Sequence, residues 1–222
     1  MKTYCYGALV LLLSNLAVAQ QSPVPVEEEP HHHVVLKNDS IMVLRVKVLP
    51  GESTVFHTHS HDRMAVLLAD TTITEQKPGE AEGQPTAKHP GDVSAMTATN
   101  EPFTHRVHNV GAAEFEVLDV ELLQRPAQPS ETAAAKIEAE NPSARLYKWT
   151  LAPGATTVMH MHERPYLIIS ATPLVLKMTG PDGKSLTHEV TAGDFHWIDA
   201  KVTHSLANAG TTPGTIVEIE LK

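Results

Sequence analysis

Gly51-Glu52-Ser53-Thr54-Val55-Phe56-His57-Thr58-His59-Ser60-His61-Asp62 is the stretch on which the fold turns. In an extended strand, side chains at i, i+2 and i+4 point to one face. That face carries three imidazoles here, from His57, His59 and His61. Two neighbours on such a face stand roughly 6.5–7 Å apart along the strand. They can converge on one ion bound at about 2.0–2.1 Å from each nitrogen. A third histidine on a straight strand overshoots, so His61 lies beyond the strand or has a different job. The stretch reads as a β-strand that carries part of a metal site.

It is not alone. Pro153-Gly154 repeats Pro50-Gly51, and His160-Met161-His162 follows Gly154 by the six residues that separate His57 from Gly51. Gly193-Asp194 matches Gly91-Asp92, and His204, Asn208 and Gly210 match His105, Asn109 and Gly111 in spacing. The period is 160 − 57 = 103 residues at the first histidine and 204 − 105 = 99 at the last. A period this long indicates duplicated domains rather than a solenoid. Two His-x-His strands, each with a third histidine far downstream, point to two like metal sites: His57, His59 and His105, then His160, His162 and His204. The competing reading is that both sets hydrogen-bond inside a barrel core.

Around the repeat, the chain of 222 residues has 41% apolar content, enough for one large or two small domains. Lys2, the apolar run Ala8 to Leu13 and Ala17-Val18-Ala19 have the form of a secretory signal over residues 1–19. Cleavage after Ala19 implies an exported protein, periplasmic or secreted. The single cysteine, Cys5, lies within that signal, so the remaining chain has neither disulfide nor thiolate ligand. Any metal must then be held by histidine and carboxylate. The formal charge of -9, or −10 once Lys2 is removed, argues against nucleic acid and anionic membranes as partners. Residues 20–39, with Glu27-Glu28-Glu29 and three prolines, read as a disordered leader. His31-His32-His33 within it reads as a solvated tail or a metal-loading tract. Strand patterns fill 40–123 and 143–222. Between them, 124–142 is a proline-flanked linker with a short helix-prone run at Glu131 to Glu140.

These motifs resemble the cupin superfamily, whose first motif runs from a glycine to His-x-His and whose second runs from a glycine to His-x-x-x-Asn. Gly51, His57, His59, Gly91, His105 and Asn109 match in one half, and Gly154, His160, His162, Gly193, His204 and Asn208 in the other. The resemblance implies an all-β chain of two tandem double-stranded β-helix (jelly-roll) domains, a bicupin, at about 40–123 and 143–222. The family's usual glutamate falls at Arg63 or Met64, and at Tyr166 or Leu167, so this chain departs from the pattern there. The nearest acids are Asp62 and Glu163, which align if His61-Asp62-Arg63 is set against His162-Glu163-Arg164. Asp62, Glu163 and His61 are therefore candidates for a fourth ligand, and an ion pair with the adjacent arginine is the other role open to the acids.

Three neutral imidazoles suit a divalent transition metal, among Fe, Cu, Zn, Ni and Mn, better than Mg or Ca. Asn109 and Asn208 read as turn residues. The leading expectation is an exported metal-dependent oxidoreductase, similar to dioxygenase-type cupins, acting on a small organic molecule. The alternatives are a non-catalytic protein that holds a metal or small ligand, and a metal-dependent isomerase or lyase. No Ser-His-Asp order, phosphate loop or nucleotide fingerprint occurs.

Overall fold

The computed structural model describes residues 22–98, 101–127, 133–199 and 201–222. The expected export signal lies outside these residues. The described chain is nearly all β and folds as four sheets. Residues 24–122 build a pair of five-stranded sheets. In one the order is Val24–Pro25, His57–His59, Phe103–Asn109, Thr71–Gln76, Thr86–Lys88; in the other it is His32–Lys37, Ile41–Val48, Phe115–Leu122, Asp62–Leu67, Val93–Met96. Residues 139–221 repeat the plan with a five-stranded sheet and a four-stranded one. The first runs Ala139–Glu140, Ala144–Leu151, Gly214–Leu221, Tyr166–Ser170, Phe195–Ile198, and the second His160–His162, Val202–Asn208, Leu174–Thr179, Ser185–Val190. This is jelly-roll architecture in both halves, as the repeat leads one to expect. Among the described residues no helix is long and apolar enough to cross a membrane.

Register sets the histidines. His57 pairs with His105 across the antiparallel strands, and His160 pairs with His204 in the other half. In Phe103–Asn109 the alternate residues His105, Val107 and Asn109 are buried. Gly51 and Gly154 sit at φ 80° and 76°, a left-handed conformation open to glycine, in the turns that lead to the two His-x-His strands. Asn109 and Asn208 act as the sequence suggests. Each amide donates to two backbone carbonyls, Val48 and Ala113 for Asn109, Leu151 and Thr212 for Asn208, which closes the turn.

The last strand of each half alternates strictly. Phe115 and Val117 face one barrel interior and Ile216 the other. Leu118, Val120 and Leu122 face outward and join Leu146, Leu167, Ile169, Val217 and Ile219 in one core shared by both halves. The two barrels are thus packed sheet against sheet. Arg45 adds a hydrogen bond to the Ala192 carbonyl, and Ser143 one to Asp62 across the same boundary.

Two expectations are corrected. The stretch expected to be a disordered leader is ordered from residue 22 on. Val24–Pro25 adds in parallel to His57–Thr58, His32–Lys37 pairs with Ile41–Val48, and Val26, Glu29 and His32 are buried. The acidic run is held because the Glu29 carboxylate accepts hydrogen bonds from the backbone N–H groups of His31 and Val55 and contacts both His31 and His32 rings. The helix-prone linker forms no helix among its described residues; Ala139–Glu140 is a strand paired with Leu146 and Arg145. Asn141 precedes proline, which disfavours helix, and its amide bonds the Arg63 and Met96 carbonyls while its oxygen caps Ser143 and Ala144.

Candidate metal centres

In the second half, His160, His162 and His204 converge, with buried ring nitrogens. His160 Nδ1 lies 3.0 Å from the Val158 carbonyl. A carbonyl only accepts, so Nδ1 carries a proton, and Nε2 points inward at the Glu218 carboxylate. The same Nε2 lies 3.0 Å from His204 Nε2. The group that completes the cluster is Glu218, from the last strand. Its Oε1 lies 3.0 Å from His204 Nε2 and 3.3 Å from His162 Nε2, and its Oε2 lies 3.2 Å from His160 Nε2. One ligand atom from each of the four residues falls within 4.8 Å of the others. Trp149 Nε1–H donates to Glu218 Oε2 at 2.7 Å, and Tyr147 donates to Glu220, which also contacts His162 Nδ1. The Tyr166 ring stacks on His162 at 4.0 Å.

Charge follows geometry. Burial pushes the Glu218 carboxyl up, but hydrogen bonding by the three histidines outweighs it and holds the group well below the usual carboxylate range. Burial opposes a charge on His162, yet Glu218 and Glu220 raise it to about 9. Several atoms remain without an aligned hydrogen bond: both ring nitrogens of His162, His204 Nδ1 and Glu218 Oε1. Buried ring nitrogens and carboxylate oxygens left without partners are unfavourable unless a cation joins them. The donor set, three imidazoles and one carboxylate, suits a transition metal.

The first half is related but different. His57 Nδ1 is 2.9 Å from the Val55 carbonyl, so its Nε2 carries the lone pair, and that atom is buried without a partner. His59 Nε2 lies 3.1 Å from His105 Nε2. On its far side His59 Nδ1 lies 2.7 Å from Glu121 Oε1. Asp119 is held by Arg63 at 2.6 Å. Burial lowers His57 to about 2 and His59 to about 3, and lowers His105 as well. Burial and the Asp119 charge raise Glu121 to about 8. The sets whose ligand atoms come within 4.8 Å of one another here are His32, His57 and His59, and His59, Asp119 and Glu121. His32, on the supposed tail, is therefore part of this cluster.

The three expected fourth ligands do not fill that role. Asp62 bonds Arg125, Ser143 and the Ala98 N–H, at the boundary between the halves. His61 is 41% exposed and sits 3.4 Å from Glu121. Glu163 presents its backbone N–H to Glu220 in the turn after His162. The alignment behind two of them fails as well. Glu121 pairs with Arg63 and Glu220 with Tyr166, so Arg63 corresponds to Tyr166 and not to Arg164.

The acids that do reach the histidines share the 99-residue period of the last histidine. Asp119 + 99 is Glu218 and Glu121 + 99 is Glu220, in Asp119-Val120-Glu121-Leu122 and Glu218-Ile219-Glu220-Leu221. Two acids at i and i+2, each followed by an apolar residue at the end of the last strand of each half, were the available signal.

The surroundings differ too. A cavity of about 610 Å³ in the second half is lined mostly by apolar side chains, among them Tyr166, Leu176, Met178, Phe195, Ile198 and Ile216. The first-half cavity is about 70 Å³ and carries His32, His57, Arg63, Glu75, His105 and Asp119.

No family model matches the chain. A beta-alanine degradation protein, BauB, from Pseudomonas aeruginosa is 29% identical over 90 residues, 40% of this chain and 94% of that protein. Among solved structures, AerE from Microcystis aeruginosa matches 90% of this chain and 98% of its own at TM-score 0.61 and 15% identity. A cupin 2 conserved barrel domain protein from Leptotrichia buccalis matches 86% and 88% at TM-score 0.52 and 15% identity. Identities at this level speak to fold. Sheet order, His-x-His strands on the barrel interior and these neighbours agree that the fold of this chain is the cupin fold.

Proposed function

We propose that the chain is an exported, metal-dependent oxidoreductase built from two tandem cupin units, whose working centre is His160, His162, His204 and Glu218 and whose substrate is a small, largely apolar organic molecule. The observation that carries this reading is the convergence of three imidazoles on the Glu218 carboxylate in the half that also holds the large apolar cavity. A redox-capable transition metal held there supplies Lewis-acid and electron-transfer chemistry. The chain's own residues do the rest. Glu218 sets the charge of the donor set, and Val158 and Glu220 orient the rings of His160 and His162 through Nδ1. The mostly apolar cavity wall offers the substrate its contact surface. Tyr166 lines the cavity and its buried hydroxyl has no partner; burial and the charges of Glu218 and Glu220 raise its pKa, so it stays a hydrogen-bond donor for a polar atom of the substrate. Nucleic acid and membrane surfaces do not enter this reading, which takes a small molecule as partner.

The non-catalytic alternative has support in the first half. There the cavity is too small for a drug-sized or similar organic ligand, and Arg63 neutralises Asp119. We read that half as holding an ion alone. Purified protein reconstituted with Fe, Cu, Mn, Ni or Zn is assayed for oxygen uptake with panels of small apolar substrates. Turnover lost in Glu218→Gln, with the fold intact, supports the enzyme. Stoichiometric metal with no turnover on any panel supports the binder.

A further inference from the structure

The N-terminal segment brings a histidine into the first half that has no counterpart in the second. His32 is 7% exposed, and its ring centroid stands 4.5 Å from that of His57 and 6.4 Å from that of His59. Its Nδ1 is 2.6 Å from Glu29 Oε2. A carboxylate accepts, so Nδ1 carries the proton and Nε2 is left as the free donor atom. Glu29 is itself fixed to the strand it serves, because the Val55 N–H, two residues before His57, donates to its other oxygen at 3.0 Å. One nitrogen each from His32, His57 and His59 lies within 4.8 Å of the others, and all three residues are buried. His57 Nε2, unpartnered, is the orphan among them. In the second half the neighbour stacked on His160 is the Trp149 ring, which offers no lone pair.

We propose that His32 is a metal ligand, so that the first-half centre draws neutral nitrogens from His32, His57 and His59, with Glu29 orienting His32. Three neutral imidazoles favour Cu(II), Ni(II) or Zn(II) over ions that prefer oxygen. An ion bound there ties residues 24–37 to the His57–His59 strand, so metal removal loosens that segment. This rests on the reading that the chain binds metal at all, and the second centre serves as its internal control.

The probe is Zn(II) added to chelator-treated, full-length protein, followed by calorimetry and by long-range ¹⁵N–¹H spectra of the imidazoles. Two binding events are expected, with His32 Nε2 shifting together with His57. In His32→Gln one event weakens by at least about tenfold while the other is unchanged, and Glu29→Gln weakens the same event by roughly 10–100-fold. His33→Gln, on the exposed face of the same strand, leaves both events intact. Zinc should also slow hydrogen exchange over residues 24–37 in the wild type and not in His32→Gln. Zinc bound at His160 and His204 with the His32 resonance unmoved overturns this inference alone. Equal weakening by His33→Gln overturns it too, since that marks unspecific binding to the histidine tract. Failure to bind zinc anywhere overturns the metal reading itself.

Discussion

At Glu218 a fully buried carboxylate is surrounded by three imidazoles and an indole N–H, and its charge is kept by them. Near neutral pH the cluster without metal holds a proton on His162, whose pKa is about 9. Metal must displace it, so loading the second centre releases about one proton per ion. Calorimetry in buffers of different ionisation enthalpy reads this directly. In metal-free Glu218→Gln, the His162 pKa should fall, by NMR titration, because its main counter-charge is gone. The buried clusters also contain groups that respond oppositely to pH. His57 and His59 titrate at about 2 and 3 against 6.5 when unfolded, so their contribution is whole above pH 6.5 and lost as pH falls through that window. Glu29, at about 2 against 4.5, likewise loses its contribution on acidification below 4.5. His162 is raised from 6.5 to about 9 and loses its contribution as pH rises between them; Glu121, raised from 4.5 to about 8, does so across that range. Metal-free stability, measured as urea midpoints, should peak close to the ordinary histidine value and decline to either side.

The strand Gly214–Leu221 shows what an element adds to its residues. Its inward positions are Ile216, Glu218 and Glu220, and its outward ones are Val217 and Ile219, part of the core shared with the first half. Phe115–Leu122 has the same plan. A strand buried on both faces lets an acid survive only where partners meet it, which is why Asp119, Glu121, Glu218 and Glu220 all contact histidine. Leu118→Ala, at 0% exposure in the shared core, should cost about 2–5 kcal/mol in denaturant unfolding while leaving metal stoichiometry unchanged. Period-two reading found the His-x-His strands, and the repeat found the distant histidines, because both are local patterns. The fourth group was hidden for a physical reason. Asp62 and Glu163 are near His59 and His162 along the chain, but the acids that reach those histidines stand on a strand of the other sheet of each barrel, about 60 residues away in sequence. Likewise Glu29 and His32 read as solvated charge until the fold supplied each with the other and with Val55.

The whole molecule couples two unlike centres through one apolar boundary. Because Leu118, Val120, Leu146, Leu167, Val217 and Ile219 form a single core, both halves should unfold in one transition. Both tryptophans, Trp149 and Trp197, lie in the second half, so their fluorescence reports it, while hydrogen exchange along Ile41–Val48 reports the first. Coincident midpoints are expected, and separate ones would break the coupling. Within that frame the second barrel has the room and a carboxylate shared by three histidines, whereas the first has a small cavity and its acids, Asp119 and Glu121, gather around His59. The most direct test is metal analysis of the purified wild-type protein beside His204→Ala and Glu218→Gln after equilibration with Fe(II) or Cu(II). Stoichiometric metal is expected in the wild type and loss of one equivalent in His204→Ala, with at least about tenfold weaker retention in Glu218→Gln. Wild-type protein without stoichiometric metal, or a His204→Ala variant that keeps its full complement, would contradict this expectation.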